Sequence, residues 1–437
     1  MLWLPAKMKR KRLRKLAGLG LRFVLFLSIF FGLGAAAAPP KGALLVQVDR
    51  TTKPHRFEFV DWESQALASE IKRRWNPPHI PPEEVEQRAL VQTYLDQEQR
   101  LTELERQLEQ IYAICPDPAQ AICPAPQRKE ASTVEEEISS LRVIQAEIVP
   151  QVETILTRQV ETVLHEEDIT RAGRVFPPVA FRFTDPPTAL IISPRDRIEN
   201  RYFVGLQPGL KNSQRTRIEN SLDQRGDVSS YVTDIGGLGS YPTMVISHGS
   251  LIYLTEVIAH EWAHNYFFTF PSNIAWGYQK YPRLTTINET AAELVGKEIS
   301  RKVIARFYPE WIDRLPSLDS AGHPAPGQPS EFDLAMRRIR QQVDQLLADG
   351  KIEEAEAFME FERLKLVEKG YNLRKLNQAY FAFHGSYALS PASIDPIGPQ
   401  LRQLRAASPS LKAFLDRVGW LNSFQDYQGW LQEAGLQ

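Results

Sequence analysis

Two stretches of the chain repeat apolar residues at helical spacing within otherwise polar sequence. From Pro81 the positions Leu90, Tyr94, Leu101, Leu104, Leu108 and Ile111 recur every three or four residues, as a helix with a coiled-coil seam requires. From Thr133 the pattern returns with Val134, Ile138, Leu141, Ile148, Val152, Ile155 and Val163. The two runs predict an antiparallel helical hairpin over about 81–113 and 133–165. Thr133 with Glu136 supplies a capping-box start, and Pro150 kinks or splits the second helix. No catalytic residue is evident in the hairpin, which reads as a spacer or as a docking arm for a protein partner.

The period then shortens. Val179–Thr184, Ala189–Ser193, Tyr202–Leu206, Ser230–Ile235 and Thr243–Ser247 are short β-rich runs broken by Pro and Gly, with the polar stretch Asn212–Arg225 reading as a surface helix between strands. An isolated run, Leu44–Val48, predicts a further strand near the start. From Ser250 the pattern is helical, interrupted by the Pro/Gly/Ser-rich segment Ser317–Ser330, which reads as a surface linker. Helices are expected over about 331–348, 351–369 and 374–388, with two short ones after them. The fold class predicted is α+β, mainly helical. Residues 41–169 form an N-terminal region with the hairpin, 170–249 a β-rich part with a small mixed sheet, and 250–437 a helical part.

The first 40 residues read as export machinery. A basic cluster, Lys7, Lys9, Arg10, Lys11, Arg12, Arg14 and Lys15, precedes the apolar stretch Phe23–Gly34 and the small-residue site Ala35-Ala36-Ala37-Ala38. Cleavage after a signal peptide is one reading. Retention as a membrane anchor from Leu16 to Ala38 is the other, since about 20 residues suffice to span. Both put the remainder outside the cytoplasm.

Charge and cysteine narrow the class. A formal net charge of -1 over 437 residues leaves no field that would recruit nucleic acid. The two cysteines, Cys115 and Cys123, lie close together in a Pro-rich segment between the hairpin helices, as one local disulfide in an oxidising compartment would.

The chemistry concentrates in His260-Glu261-Trp262-Ala263-His264, within the apolar, Pro- and Gly-free run Leu251–Phe268. Helical spacing stacks His260 and His264 on one face, so two imidazole nitrogens converge. Glu261, beside the first, can take a proton from a water activated by a metal. After His264, the segment Asn288-Glu289-Thr290-Ala291-Ala292-Glu293, whose Glu289 is twenty-five residues on, offers further carboxylates, Glu289 and Glu293, at i, i+4.

The pair of motifs resembles the gluzincin zinc metallopeptidases and is similar to bacterial zinc aminopeptidases, over about residues 170–390. On that resemblance Zn2+ is the cofactor, His260, His264 and Glu289 are its ligands, and Glu261 is the general base. Glu293 supports a ligand histidine, with Glu256, one turn before His260, as a rival for that role. The family places an oxyanion-stabilising Tyr or His downstream, and the candidates here are His384, Tyr387 and Tyr380, in that order. An edge strand before the zinc helix pairs with extended substrate in related peptidases, which points to Gly237, Leu238 and Gly239.

The expected activity is therefore hydrolysis of peptide bonds in a peptide or protein substrate, in the periplasm or envelope of a bacterium. The Asn288-Glu289-Thr290 sequon fits a bacterial envelope better than a eukaryotic secretory route, because a glycan there would obstruct the site. The competing expectation is a membrane-tethered scaffold with a vestigial or structural metal site, for which Glu261 has no use.

Overall fold

The computed structural model describes residues 42–114, 125–278, 280–315, 330–390 and 393–436. The export segment, both cysteines and nearly all of Ser317–Ser330 lie outside the described residues. No described helix is long and apolar enough to cross a membrane.

The chain begins with helices α1 (Ala43–Thr52) and α2 (Phe59–Trp75), followed by the hairpin α3 (Glu84–Ile114) and α4 (Ala125–Glu166). The β-rich part holds β1 (Thr170–Arg171), β2 (Arg174–Val175), β3 (Phe181–Phe183), β4 (Thr188–Pro194), β5 (Tyr202–Leu206), α5 (Asn212–Asp223), β6 (Val228–Thr233), β7 (Gly237–Leu238) and β8 (Thr243–Val245). The helical part holds α6 (Leu251–Phe267), α7 (Asn273–Trp276), α8 (Pro282–Phe307), α9 (Glu331–Ala348), α10 (Ile352–Glu368), α11 (Gln378–His384), α12 (Ile397–Ala407), α13 (Leu411–Gly419) and α14 (Phe424–Glu433). The architecture is α+β and mainly helical.

Among the described residues, strand pairing gives two three-stranded sheets and a two-stranded ribbon. β4 is central in an antiparallel sheet ordered β5-β4-β6. Its residues alternate between faces, so Leu190 and Ile192 pack with Ile218 and Leu222 of α5, while Ala189 and Ile191 meet Ala379 and Ala382 of α11. The other sheet is mixed and ordered β3-β8-β7, with β3 and β8 parallel and β7 antiparallel to β8. That ordering leaves β7 at an edge.

The main core is built on α6 against α8, with α12, α13 and α14 on one side and the base of the hairpin on the other. The hairpin is therefore only in part a projecting arm. Tyr94, Val152, Ile155, Leu156 and Val160 belong to that core, and the Tyr94 phenol donates to the Ser247 carbonyl at 2.7 Å. Its distal half has a separate small core that includes Leu101, Leu104, Ile111 and Ile138.

Two local expectations fail, and one of two alternatives at Pro150 is excluded. Leu44–Val48 is helical, because Leu44 and Val48, one turn apart, are the residues buried against α5; a short apolar run cannot by itself distinguish the two periods. α4 begins at Ala125, so Thr133 is no cap, and its hydroxyl donates back to the Lys129 carbonyl at 2.9 Å. Pro150 does not split α4, which continues through it to Glu166. The end of the chain also holds three short helices where two are expected, and α11 stops at His384.

Polar groups fasten α2 inward. Glu153 of α4, 4% exposed, accepts from Arg182 at 2.9 Å and from the Phe183 amide at 2.8 Å. Glu70 of α2 binds Arg73 at 2.7 Å and Arg182 at 3.2 Å. Glu63 accepts the Tyr241 amide at 3.3 Å, while its other carboxyl oxygen is buried without a partner. Burial raises its pKa to about 7, against the hydrogen bond from Tyr241. The folded chain thus holds a proton that the unfolded chain releases near pH 4.5, and the associated stability is lost as pH rises through about 7. Glu63→Gln, which cannot ionise, is expected to gain about 2–3 kcal/mol relative to wild type between pH 5 and pH 8. Denaturant titration of both proteins at the two pH values measures that difference.

Candidate metal centre

α6 forms where the sequence is apolar and unbroken, and it starts at a capped end where the Ser250 hydroxyl accepts the Tyr253 amide at 3.2 Å. His260 and His264 stand one turn apart on it, their Nε2 atoms 3.1 Å apart. α8 starts with Pro282 at its first turn and brings Glu289 across from them. Glu289 Oε2 lies 3.5 Å from His260 Nε2 and 3.7 Å from His264 Nε2.

These three atoms meet the requirements of a divalent metal. A tetrahedral ion holding ligands at about 2.0–2.2 Å separates them by roughly 3.3–3.6 Å, close to the triangle found here. Glu289 Oε2 is buried with the two imidazole nitrogens as its nearest polar neighbours, at 3.5 and 3.7 Å, so a cation, whether a metal ion or an imidazolium, is needed to complete it. Among the described residues, this is the group of His, Cys, Asp and Glu side chains positioned to hold a metal.

The tautomer of His264 follows from its neighbours. Asn288 Nδ2 donates to the Ile274 carbonyl at 2.7 Å, which turns Asn288 Oδ1 toward His264 Nδ1, also at 2.7 Å. An amide oxygen only accepts, so Nδ1 carries the proton and Nε2 keeps its lone pair for a ligand role. Asn288 is 2% exposed and doubly engaged, so its sequon is closed to modification in the folded chain. Behind the histidines Asn288 thus fills, for His264, the part expected of Glu293. Glu293 pairs with Lys297, and its second oxygen is buried without a partner. Neither Glu293 nor Glu256 hydrogen-bonds an imidazole among the described residues.

The two central carboxyls differ. At Glu289 burial favours the neutral form but is overcome by His264, His260 and the Tyr278 phenol, and the pKa falls to about 2. At Glu261 burial prevails over His260, with Glu289 adding to it, and the pKa rises to about 7. Burial opposes protonation of both histidines; at His260 the carboxylates of Glu289, Glu261 and Glu293 outweigh it and raise the pKa to about 9, whereas His264 falls to about 4.

Glu261 is covered by glycine backbone. A Cβ on Gly237 would lie 2.6 Å from Glu261 Oε1 and 2.9 Å from Val257 Cγ1, and one on Gly239 would lie 3.5 Å from Glu261 Oε2. Gly237, Leu238 and Gly239 therefore form a wall directly against the carboxyl, and β7 presents its unpaired edge there. Together they line a cleft of about 1530 Å3 that also includes His260, His264, Glu289, Tyr278, His384 and Tyr387.

Of the downstream aromatics, Tyr387 comes nearest the ligands, its ring centroid 6.3 Å from that of His260. It follows the end of α11, held by the Ala388 amide donating to Thr290 Oγ1 at 3.0 Å. His384 lines the cleft but packs at a tilt against Tyr380, ring centroids 4.2 Å apart, and burial lowers its pKa to about 4. Tyr380 itself is 7% exposed and packs on Tyr231. The residue that sequence patterning did not single out is Tyr278, whose phenol donates to Glu289 Oε1 and whose ring meets His264 edge-on at 6.3 Å. It sits between two helices with no periodic partner, so no pattern in the chain marks it. Burial first, then Glu289, keeps both Tyr278 and Tyr387 protonated.

No protein-family model, curated protein or solved structure matches the chain.

Among the described residues, the geometry offers one group able to hold a divalent metal ion. Asn288→Ala frees the His264 tautomer and is expected to weaken zinc binding by about 10- to 100-fold. Competition against a chelating dye, with circular dichroism to establish that the variant is folded, gives the comparison.

Proposed function

We propose that the chain is a zinc-dependent peptidase of the gluzincin type that acts outside the cytoplasm. The observation that carries the proposal is the triangle of His260 Nε2, His264 Nε2 and the buried Glu289 Oε2, with the Glu261 carboxyl beside it in the same cleft. A structural metal site has no need of a buried, unpaired carboxyl on its open side, whereas a hydrolase does.

When bound, zinc supplies Lewis acidity, which polarises a carbonyl and makes water a usable nucleophile near neutral pH. The chain's own groups supply the rest. Glu261, its pKa near 7, is matched to accept a proton from the attacking water and return it to the leaving amine. The edge of β7 offers backbone hydrogen bonds to an extended peptide, and its glycines let that peptide lie close over Glu261. Tyr387 and Tyr278, held protonated, can donate toward negative charge developing on the carbonyl oxygen. Both phenols also interact with Glu289, so the two share this role.

The location rests on the basic-then-apolar order of the first 40 residues and the small-residue site that follows.

Glu261→Gln should keep its zinc and lose about 10^2- to 10^4-fold in the hydrolysis of a peptide library. Gly237→Ala, which pushes a methyl group into the same carboxyl, should likewise retain zinc and lose turnover. A wild-type protein without zinc, or a Glu261→Gln variant that cleaves as fast as wild type, would falsify the proposal.

A further inference from the structure

α2 is built inside out. At 100° per residue, Val60, Ser64, Leu67, Ala68, Ile71 and Trp75 fall within one arc about 100° wide that contains no charge. A surface helix ordinarily turns such an arc inward. Here the buried side of the helix carries Glu63, Ala66 and Glu70, and the apolar arc faces out: Val60 is 57%, Ile71 47% and Trp75 88% exposed.

The inward face is committed. Glu70 is held by Arg73, Arg74 and Arg182, and Glu63 by the Tyr241 amide, so the helix cannot roll its apolar arc into the core without stripping these groups. Singly exposed apolar residues need no explanation, but a continuous uncharged stripe ending in a nearly fully exposed tryptophan is a docking surface.

We propose that this face lies on a phospholipid bilayer, at the depth of the headgroups. Three features select lipid as the occupant. The apolar stretch Phe23–Gly34 is separated from α1 by only the eight residues 35–42, which reach at most about 29 Å when fully extended. With that stretch in a membrane, the start of α1 is held within that distance of its surface, and α2 follows α1 after six residues. The margin of the arc carries the exposed Lys72 beside Asp61, a cation placed to meet anionic headgroups, while Arg74 on the other margin is bound to Glu70. Trp75 stands at the end of the stripe, where an amphipathic ring is favoured at the boundary between headgroups and acyl chains. The surface is independent of the metal centre and of the peptidase reading.

The test uses the full-length protein in vesicles of phosphatidylcholine and phosphatidylglycerol, with and without lipids brominated near the headgroup end of the acyl chain. Bromine quenches indole fluorescence on contact. Wild type should show a quenched component that is lost in Trp75→Phe, and Ile71→Glu, on the same arc, should diminish it. Both side chains are exposed, so neither change threatens the fold. Equal quenching in wild type and Trp75→Phe places Trp75 away from lipid and overturns the proposal. So does a stripe covered by a second copy of the chain or by residues 1–41, since in either case Trp75 is shielded from the brominated lipid.

Discussion

The close approach of α6 and α8 is the contact on which the rest of the structure depends. Gly296 makes it feasible: a Cβ there would lie 2.8 Å from the Glu256 carbonyl and 3.2 Å from His260 Cβ, so any larger residue would force the helices apart. Glu289 stands two turns earlier on α8, and spreading the helices at Gly296 would carry its carboxylate away from both imidazoles. The register is pinned on either side of this point. The Thr255 and Ser300 hydroxyls meet at 2.7 Å within the core, and Asn288 links His264 to the Ile274 carbonyl. The triangle of His260, His264 and Glu289 atoms is thus set by packing between two helices. The hairpin base and α12–α14 clamp the same pair from outside.

The glycines over Glu261 work by the same logic on a different surface. Backbone can come within contact of a buried carboxyl only where no side chain intervenes, and Gly237 and Gly239 provide that on the strand facing α6. The cleft therefore has a floor of two helices and a wall of bare backbone, with Glu261 between them. Its openness on the β7 edge is a consequence of topology, because β7 pairs with β8 alone.

Much of this could be read from the chain because it is carried by local pattern. The spacing of His260 and His264 fixes their common face, and Glu289 was reached through the resemblance to the gluzincins; strands β4, β5 and β6 announced themselves through short β-rich runs within a residue or two of their ends. What escaped depends on contacts distant in sequence. Tyr278 matters because its loop folds back over α8, Asn288 because Ile274 orients its amide, and Gly296 because α6 lies against it. Leu44–Val48 misled for the opposite reason: five residues are too few to separate a strand from a helix buried on one side, and the deciding surface of α5 comes more than 160 residues later. Likewise, His384 and Tyr387 share a helical face only if the helix continues. It ends at His384, so the chain turns and delivers Tyr387 nearer His260.

The two carboxyls at the centre show why residue type alone does not assign a role. Glu261 and Glu289 are the same side chain, both buried, yet one is pushed up to about 7 and the other down to about 2. Desolvation acts on each in the same direction. The difference is the company: Glu289 faces both imidazoles and accepts from Tyr278, whereas Glu261 has His260 as its one favourable partner and glycine backbone over it. Environments that separate the affinities of two like groups separate their chemistry. A carboxyl that stays ionised is suited to holding a cation. One poised near neutrality is suited to moving a proton. On the proposed reading those are the two tasks the site requires, and their division was fixed when α8 placed Glu289, and not Glu261, opposite the histidines.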